Sequence, residues 1–156
     1  GGHRVPFFMR WPAKIPAGSS YDGVASQTDL LATFADIVGA QLKDDEGEDS
    51  VSLFSALKNP SQDLDRSAII SHASNGRFAI SDGEWKLIMP HGKLDYELYN
   101  LKRDPGEDNN LYGKHSKIQN RLEKRITTMV QNGRTTPGSK QKNDVPWWQD
   151  LTWIAN

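Results

Sequence analysis

The chain has 156 residues, 36% of them hydrophobic and 25% charged, with a net charge of −1 from 19 Lys plus Arg against 20 Asp plus Glu. That is enough chain for one real core, and the charge balance excludes a basic nucleic-acid footprint or a polybasic membrane patch. Cysteine is absent, which excludes a disulfide, a thiolate metal site and a cysteine nucleophile within this chain and leaves the redox compartment open.

The opening Gly1-Gly2-His3-Arg4 has neither a Met nor an apolar leader behind it and reads as an internal point of a longer chain. Val5-Pro6-Phe7-Phe8-Met9-Arg10-Trp11 is an apolar run of strand length closed by Pro12, which predicts a buried strand with Pro6 at its start. Leu30, Leu31, Phe34, Ile37 and Val38 recur at helical spacing, with Thr28 or Asp29 as the N-cap and Gly39 as the stop. Asp44 to Asp49 is an acidic stretch without the glycine and terminal glutamate spacing of a calcium loop, and reads as a solvated turn. Ser52 to Leu57 predicts a short helical piece.

The middle of the chain is rich in strand signals. Ser67–His72, Arg77–Ser81, Glu84–Met89 and Glu97–Leu101 predict four strands, the second and third joined at Asp82-Gly83. Asp104-Pro105-Gly106 then breaks the chain. Ser116 to Gln131 predicts a second amphipathic helix with Ile118, Leu122, Ile126, Met129 and Val130 on one face, ended by Asn132-Gly133. A polar tail follows. Trp147, Trp148 and Trp153 are too apolar to be left in water, so the tail is expected to wrap back onto the body. No apolar run approaches the roughly 18 residues that cross a bilayer.

The ordered strings resemble those of the sulfatase (arylsulfatase) family within the alkaline phosphatase superfamily. Gly1-Gly2-His3-Arg4-Val5-Pro6 with Arg10-Trp11-Pro12 and Pro16-Ala17-Gly18 resembles E-G-G-x-R-x-P…W-P-G…G. Asp29-Leu30-Leu31-Ala32-Thr33 resembles D-L-x-P-T, with Ala32 where proline is usual, and Asp49-Ser50-Val51-Ser52-Leu53 resembles D-G-x-S-L. Arg77 to Leu87 resembles the family's R-x-G-x-W-K-L hairpin. Glu97-Leu98-Tyr99-Asn100-Leu101 with Asp104 to Leu111 resembles E-L-Y-D-L-x-x-D-P-x-E-x-x-N-L, the most specific string of the set. The resemblance implies an α+β arrangement. Residues 1–60 would be the late strand and helix that end an α/β catalytic domain. Residues 61–156 would be a small C-terminal domain of a four-stranded antiparallel sheet, a packing helix and a wrapping tail.

The resemblance also implies a chemistry, and most of its parts are not in this sequence. Sulfatases hydrolyse sulfate esters with a formylglycine made within C/S-x-P-x-R, a calcium ion held by Asp and Asn, and a lysine just before E-G-G. Here there is no Cys, no S-x-P-x-R string and no paired Asp at a strand end. The chain is therefore expected to carry no catalytic residue and no metal ligand and to be inactive alone. Calcium and formylglycine are expected only in a parent enzyme that supplies the N-terminal part.

What can remain is a substrate-facing rim, with His3, Arg4, His72, Asn75 and Arg77 as candidates. His3 lies close behind the expected lysine, as a substrate contact or a plain loop residue. Arg4 stands at the family's common arginine, for an ion pair or for sulfate. His72, Asn75 and Arg77 cluster at one turn, where a guanidinium suits bidentate contact with sulfate or carboxylate oxygens. His91 is a weaker candidate in the next turn, His115 reads as solvated, and the Trp147-Trp148 pair suits packing or sugar stacking. Sulfated polysaccharide, aryl sulfate and steroid sulfate all remain open as substrates. Other readings are a related phosphodiesterase or phosphonate hydrolase, a free-standing carbohydrate-binding module and a structural domain. The apolar run at Val5–Trp11, without its neighbours, is expected to cause self-association. The resemblance suggests a periplasmic or secreted location.

Overall fold

The structure is a computed structural model that describes residues 4–142 and 150–154. The chain forms two compact units that part between Ser67 and Ala68, with Thr136–Gly138 joining the first. The boundary read from sequence falls after residue 60.

In the first unit a 3₁₀ turn, Gln27–Asp29, leads into helix α1, Leu30–Val38, and a short helix α2 covers Phe54–Lys58. Asp29, one of the two caps predicted for α1, holds its N-cap position, and the turn before it is capped by Ser26. Its hydroxyl accepts from Thr28 N–H, while Ser26 N–H donates to Asp29 Oδ2 (2.7 Å), a reciprocal capping box. Gly39 stops α1 at φ 72°, a conformation that costs other residues a clash at Cβ.

Asp29 is fully buried, and its carboxylate is met by Val51 N–H (3.0 Å) and by the Arg66 guanidinium. Thr33 is also buried. Its hydroxyl donates to Asp29 O (2.6 Å) and accepts from Leu53 N–H (2.9 Å). Ala32 N–H donates to Ser50 Oγ (2.8 Å). The Asp49 to Leu53 string is thus stitched to the start of α1, which brings Leu53 and Ala56 into the core of this unit.

Residues 5–11 do not form the strand that the sequence predicts. They join no ladder among the described residues, and Val5, Phe7 and Phe8 are 57%, 49% and 91% exposed. A strand needs a neighbour to satisfy its backbone groups, and none of the described strands lies in this unit.

The second unit is an antiparallel meander in the order β1-β2-β3-β4: Ile69–His72, Phe78–Ser81, Trp85–Ile88 and Glu97–Asn100. The register pairs Ile70 with Ile80, Ile80 with Leu87, and Leu87 with Leu98. One face of the sheet therefore stacks apolar side chains, as period-two alternation requires. Helix α3, Ser116–Asn132, lays Leu122 and Ile126 on that face, with Ile118, Met129 and Val130 beside them. Gly133 ends it at φ 66°.

The most specific string of the sequence is an architectural one. Asn110 Oδ1 accepts from Leu98 N–H (3.0 Å), and Leu111 N–H donates to Leu98 O (2.8 Å), so residues 110–111 cover the outer edge of β4. Asp104 accepts from the N–H groups of Asp108 and Asn109 at 3.0 and 2.8 Å. Glu107 sits at φ 61°, and both its oxygens meet Lys86 Nζ at 2.8 and 2.9 Å.

Candidate functional site

Two turns of the second unit lie side by side and carry its candidate residues. The β1–β2 turn is closed by Ala73 N–H to Arg77 O (2.9 Å) and Gly76 N–H to Ala73 O (3.0 Å). The turn after β3 is closed by a reciprocal pair between His91 and Leu94, both 3.0 Å. Gly76 is needed twice over. Its φ is 84°, and a Cβ there would lie 2.7 Å from both His91 Nε2 and Asp150 Oδ1.

His72 is the last residue of β1. Its ring stacks on Phe78, its register partner, with centroids 4.1 Å apart. The described end of the tail, residues 150–154, reaches this same place. Asp150 Oδ2 is 3.3 Å from His72 Nε2, and Oδ1 is 3.7 Å from His91 Nδ1. Thr152 Oγ1 donates to Pro90 O (3.0 Å), and Trp153 meets Phe78 edge-on at 5.5 Å. Two imidazoles from separate turns thus converge on one carboxylate whose side chain is 14% exposed. The arrangement can hold an anionic group or a sugar hydroxyl, because each imidazole can donate a hydrogen bond from a ring nitrogen.

Arg77 is engaged within its own unit. The residue is only 9% exposed, and its guanidinium turns into its own domain. Nε donates to Met89 O (3.2 Å), and the two terminal nitrogens meet Glu97 and Asp95 O. The charge expected to face substrate instead ties the β1–β2 turn to β4. Burial raises the pKa of Glu97, but hydrogen bonds from Arg77 and Tyr99 and the charges of Arg77 and Lys86 outweigh it, so the net shift is downward. Burial, and then the Glu97 carboxylate, push the Tyr99 phenol well above its ordinary value.

The other candidates separate. Asn75 is exposed, and its Oδ1 accepts from Arg77 N–H (3.3 Å), which shapes the turn. Arg4 is exposed in the first unit. His3 and the Trp147-Trp148 pair lie outside the described residues. His115, read as solvated, is exposed at the N-cap of α3 with its ring 5.0 Å from Trp85. Among the described residues no group of three or more His, Asp or Glu is arranged to hold a metal ion.

Asp150 is the site residue that the sequence reading missed. Its signal was indirect: a carboxylate close to tryptophans expected to fold back is carried wherever the tail lands, and no local pattern fixes that landing point.

Comparison with known proteins bears on what such a site serves. Residues 2–132 match the model of the family described as N-sulphoglucosamine sulphohydrolase, C-terminal. N-acetylgalactosamine-6-O-sulfatase of Bacteroides thetaiotaomicron is 30% identical over 135 residues, covering 78% of this chain and 26% of the relative. Human arylsulfatase A is 30% identical over 137 residues, covering 72% and 27%. A solved structure in complex with its substrate D-glucosamine-2-N,6-O-disulfate superposes with a TM-score of 0.66 at 27% identity, covering 78% of this chain and 27% of the other. The chain spans about a quarter of the length of these relatives.

Proposed function

The chain belongs to the family of N-sulphoglucosamine sulphohydrolase C-terminal domains, and on that premise we propose that it forms the substrate-facing C-terminal part of a sulfatase acting on sulfated sugars. The observation that carries this reading is the convergence of His72 and His91 on one anionic group. Among relatives that also include aryl- and steryl-sulfatases, those named for sulfated amino sugars motivate the choice of a sugar.

In this reading the sulfur chemistry belongs to the part of the relatives that this chain does not match. A formylglycine nucleophile and a calcium ion would supply it there. The described residues offer no cluster fitted to the metal, so no step is assigned through it here. His72, His91 and Asn75 would hold the sugar; Arg4, in the first unit, and His3 are proposed as substrate contacts in their own right. Arg77 would position the turn that carries His72.

Two apolar stretches of the first unit are proposed to meet the catalytic region: Val5 to Phe8, and the α1 stripe of Leu31, Phe34 and Val38, which are 52%, 54% and 76% exposed. Alone, the chain would self-associate through them. Export to the periplasm or beyond is proposed from family resemblance.

The test is a titration of the chain with N-acetylglucosamine 6-sulfate, read from its histidine imidazole resonances. His72 and His91 should shift while His115 stays, and the unsulfated sugar should act more weakly. A uniform response, or none, would refute the assignment.

A further inference from the structure

We propose that Asp150 is an internal anion: its carboxylate fills the binding position between His72 and His91 and must leave before an external sulfate or carboxylate can enter. This rests on the substrate-facing reading of those histidines and adds a mode of regulation to it.

Each oxygen of Asp150 faces a different imidazole, 3.3 Å from His72 Nε2 and 3.7 Å from His91 Nδ1. The second distance is too long for a hydrogen bond. His91 Nδ1 is buried and has no hydrogen-bond partner among the described residues. The carboxylate therefore lies nearer one imidazole than the other and gives His91 Nδ1 no hydrogen bond. A tetrahedral sulfate presents oxygens in more directions and can meet both. The bare Cα of Gly76 provides the room, since a methyl group there would fall on Asp150 Oδ1 and on the His91 ring.

The segment that delivers Asp150 belongs to no helix or strand that would have to unravel for it to move. Its contacts include Thr152 on Pro90 O and Trp153, which meets Phe78 edge-on and packs against the core of this unit. A tethered ligand competes with a free one through its effective concentration, in the millimolar range for a short tether. Occupation by Asp150 lowers the fraction of open sites and weakens apparent affinity by that fraction.

The experiment compares the chain with Asp150→Asn, titrating each with N-acetylglucosamine 6-sulfate and with sodium sulfate against sodium chloride at equal ionic strength. Binding is read at the His72 and His91 imidazoles, and tail release at the Trp153 indole. The variant should bind about tenfold more tightly. In the unmodified chain, saturation should shift the indole and speed amide exchange at 151–154; that arm needs no variant. Equal affinities with an undisturbed tail would overturn the internal anion and leave the substrate-facing reading standing. Failure of either probe to reach the two histidines in both proteins would overturn both.

Discussion

Arg77 shows how a side chain suited to sulfate serves as an internal brace. Three acceptors, Met89 O, Glu97 and Asp95 O, surround a guanidinium that is almost wholly buried. Arg77→Ala leaves two carbonyls and a carboxylate without their donor. It should cost about 3 kcal/mol in urea unfolding, with Glu97's partial exposure keeping the loss near the low end for buried pairs. Arg77→Lys should recover little, because an ammonium cannot reach all three. Wild-type stability in Arg77→Ala would return the residue to the substrate list.

Glu97, its partner, gives a pH signature. Its carboxyl has a lowered pKa when folded, so the unfolded chain binds the proton first as pH falls. The stability it contributes is complete above the ordinary carboxylate range, about 4.3, and is lost as pH falls below it. Glu97→Gln should lower the melting temperature at pH 7 and flatten its fall between pH 5 and 3. An unchanged acid limb would place the linkage elsewhere.

Among the elements, β4 is the strand whose outer edge is covered. Asn110 Oδ1 accepts from both Leu98 N–H and Tyr112 N–H, at 3.0 and 2.9 Å. Asn110→Ala should therefore destabilise by about 1–2 kcal/mol, with faster amide exchange at Leu98 as its local mark. Helix α1 depends similarly on Asp29, whose carboxylate accepts from Ser26 N–H in the capping box, holds Val51 N–H and pairs with Arg66. Asp29→Ala strands that arginine in the interior and should cost about 3–5 kcal/mol. The loss should be read from the exchange of α1 amides.

These elements also show what a single sequence reveals. The four strands and both long helices were legible because turns and glycines punctuate them and their apolar residues keep a period. The edge cover was legible only as a string, since nothing local says that Asn110 will reach Leu98. Val5 to Trp11 reads as a strand on apolar content alone, yet strand formation depends on neighbours that no local pattern supplies. His72 was visible as a histidine beside a turn. Its companions were not, because His91 and Asp150 meet it only through tertiary folding.

At the scale of the whole molecule, the first unit of this sulfatase-family chain shows large apolar side chains to solvent. Phe8 is 91% exposed, and the α1 stripe ends in a Val38 that is 76% exposed. Surfaces of that kind mark contact with another polypeptide. Sedimentation of the chain should show concentration-dependent association, weakened by Phe8→Ser with Val38→Ser. A monomer at high concentration would argue against that role for the surface.

We propose that this domain holds the sugar while another region attacks the sulfur. Steady-state kinetics of the proposed full-length sulfatase on a 6-O-sulfated N-acetylhexosamine decide it. His72→Ala and His91→Ala should each raise KM about tenfold and leave kcat within about twofold, as expected for loss of binding shared by ground and transition states. Unchanged KM in both variants, or a collapse of kcat at constant KM, would contradict the account.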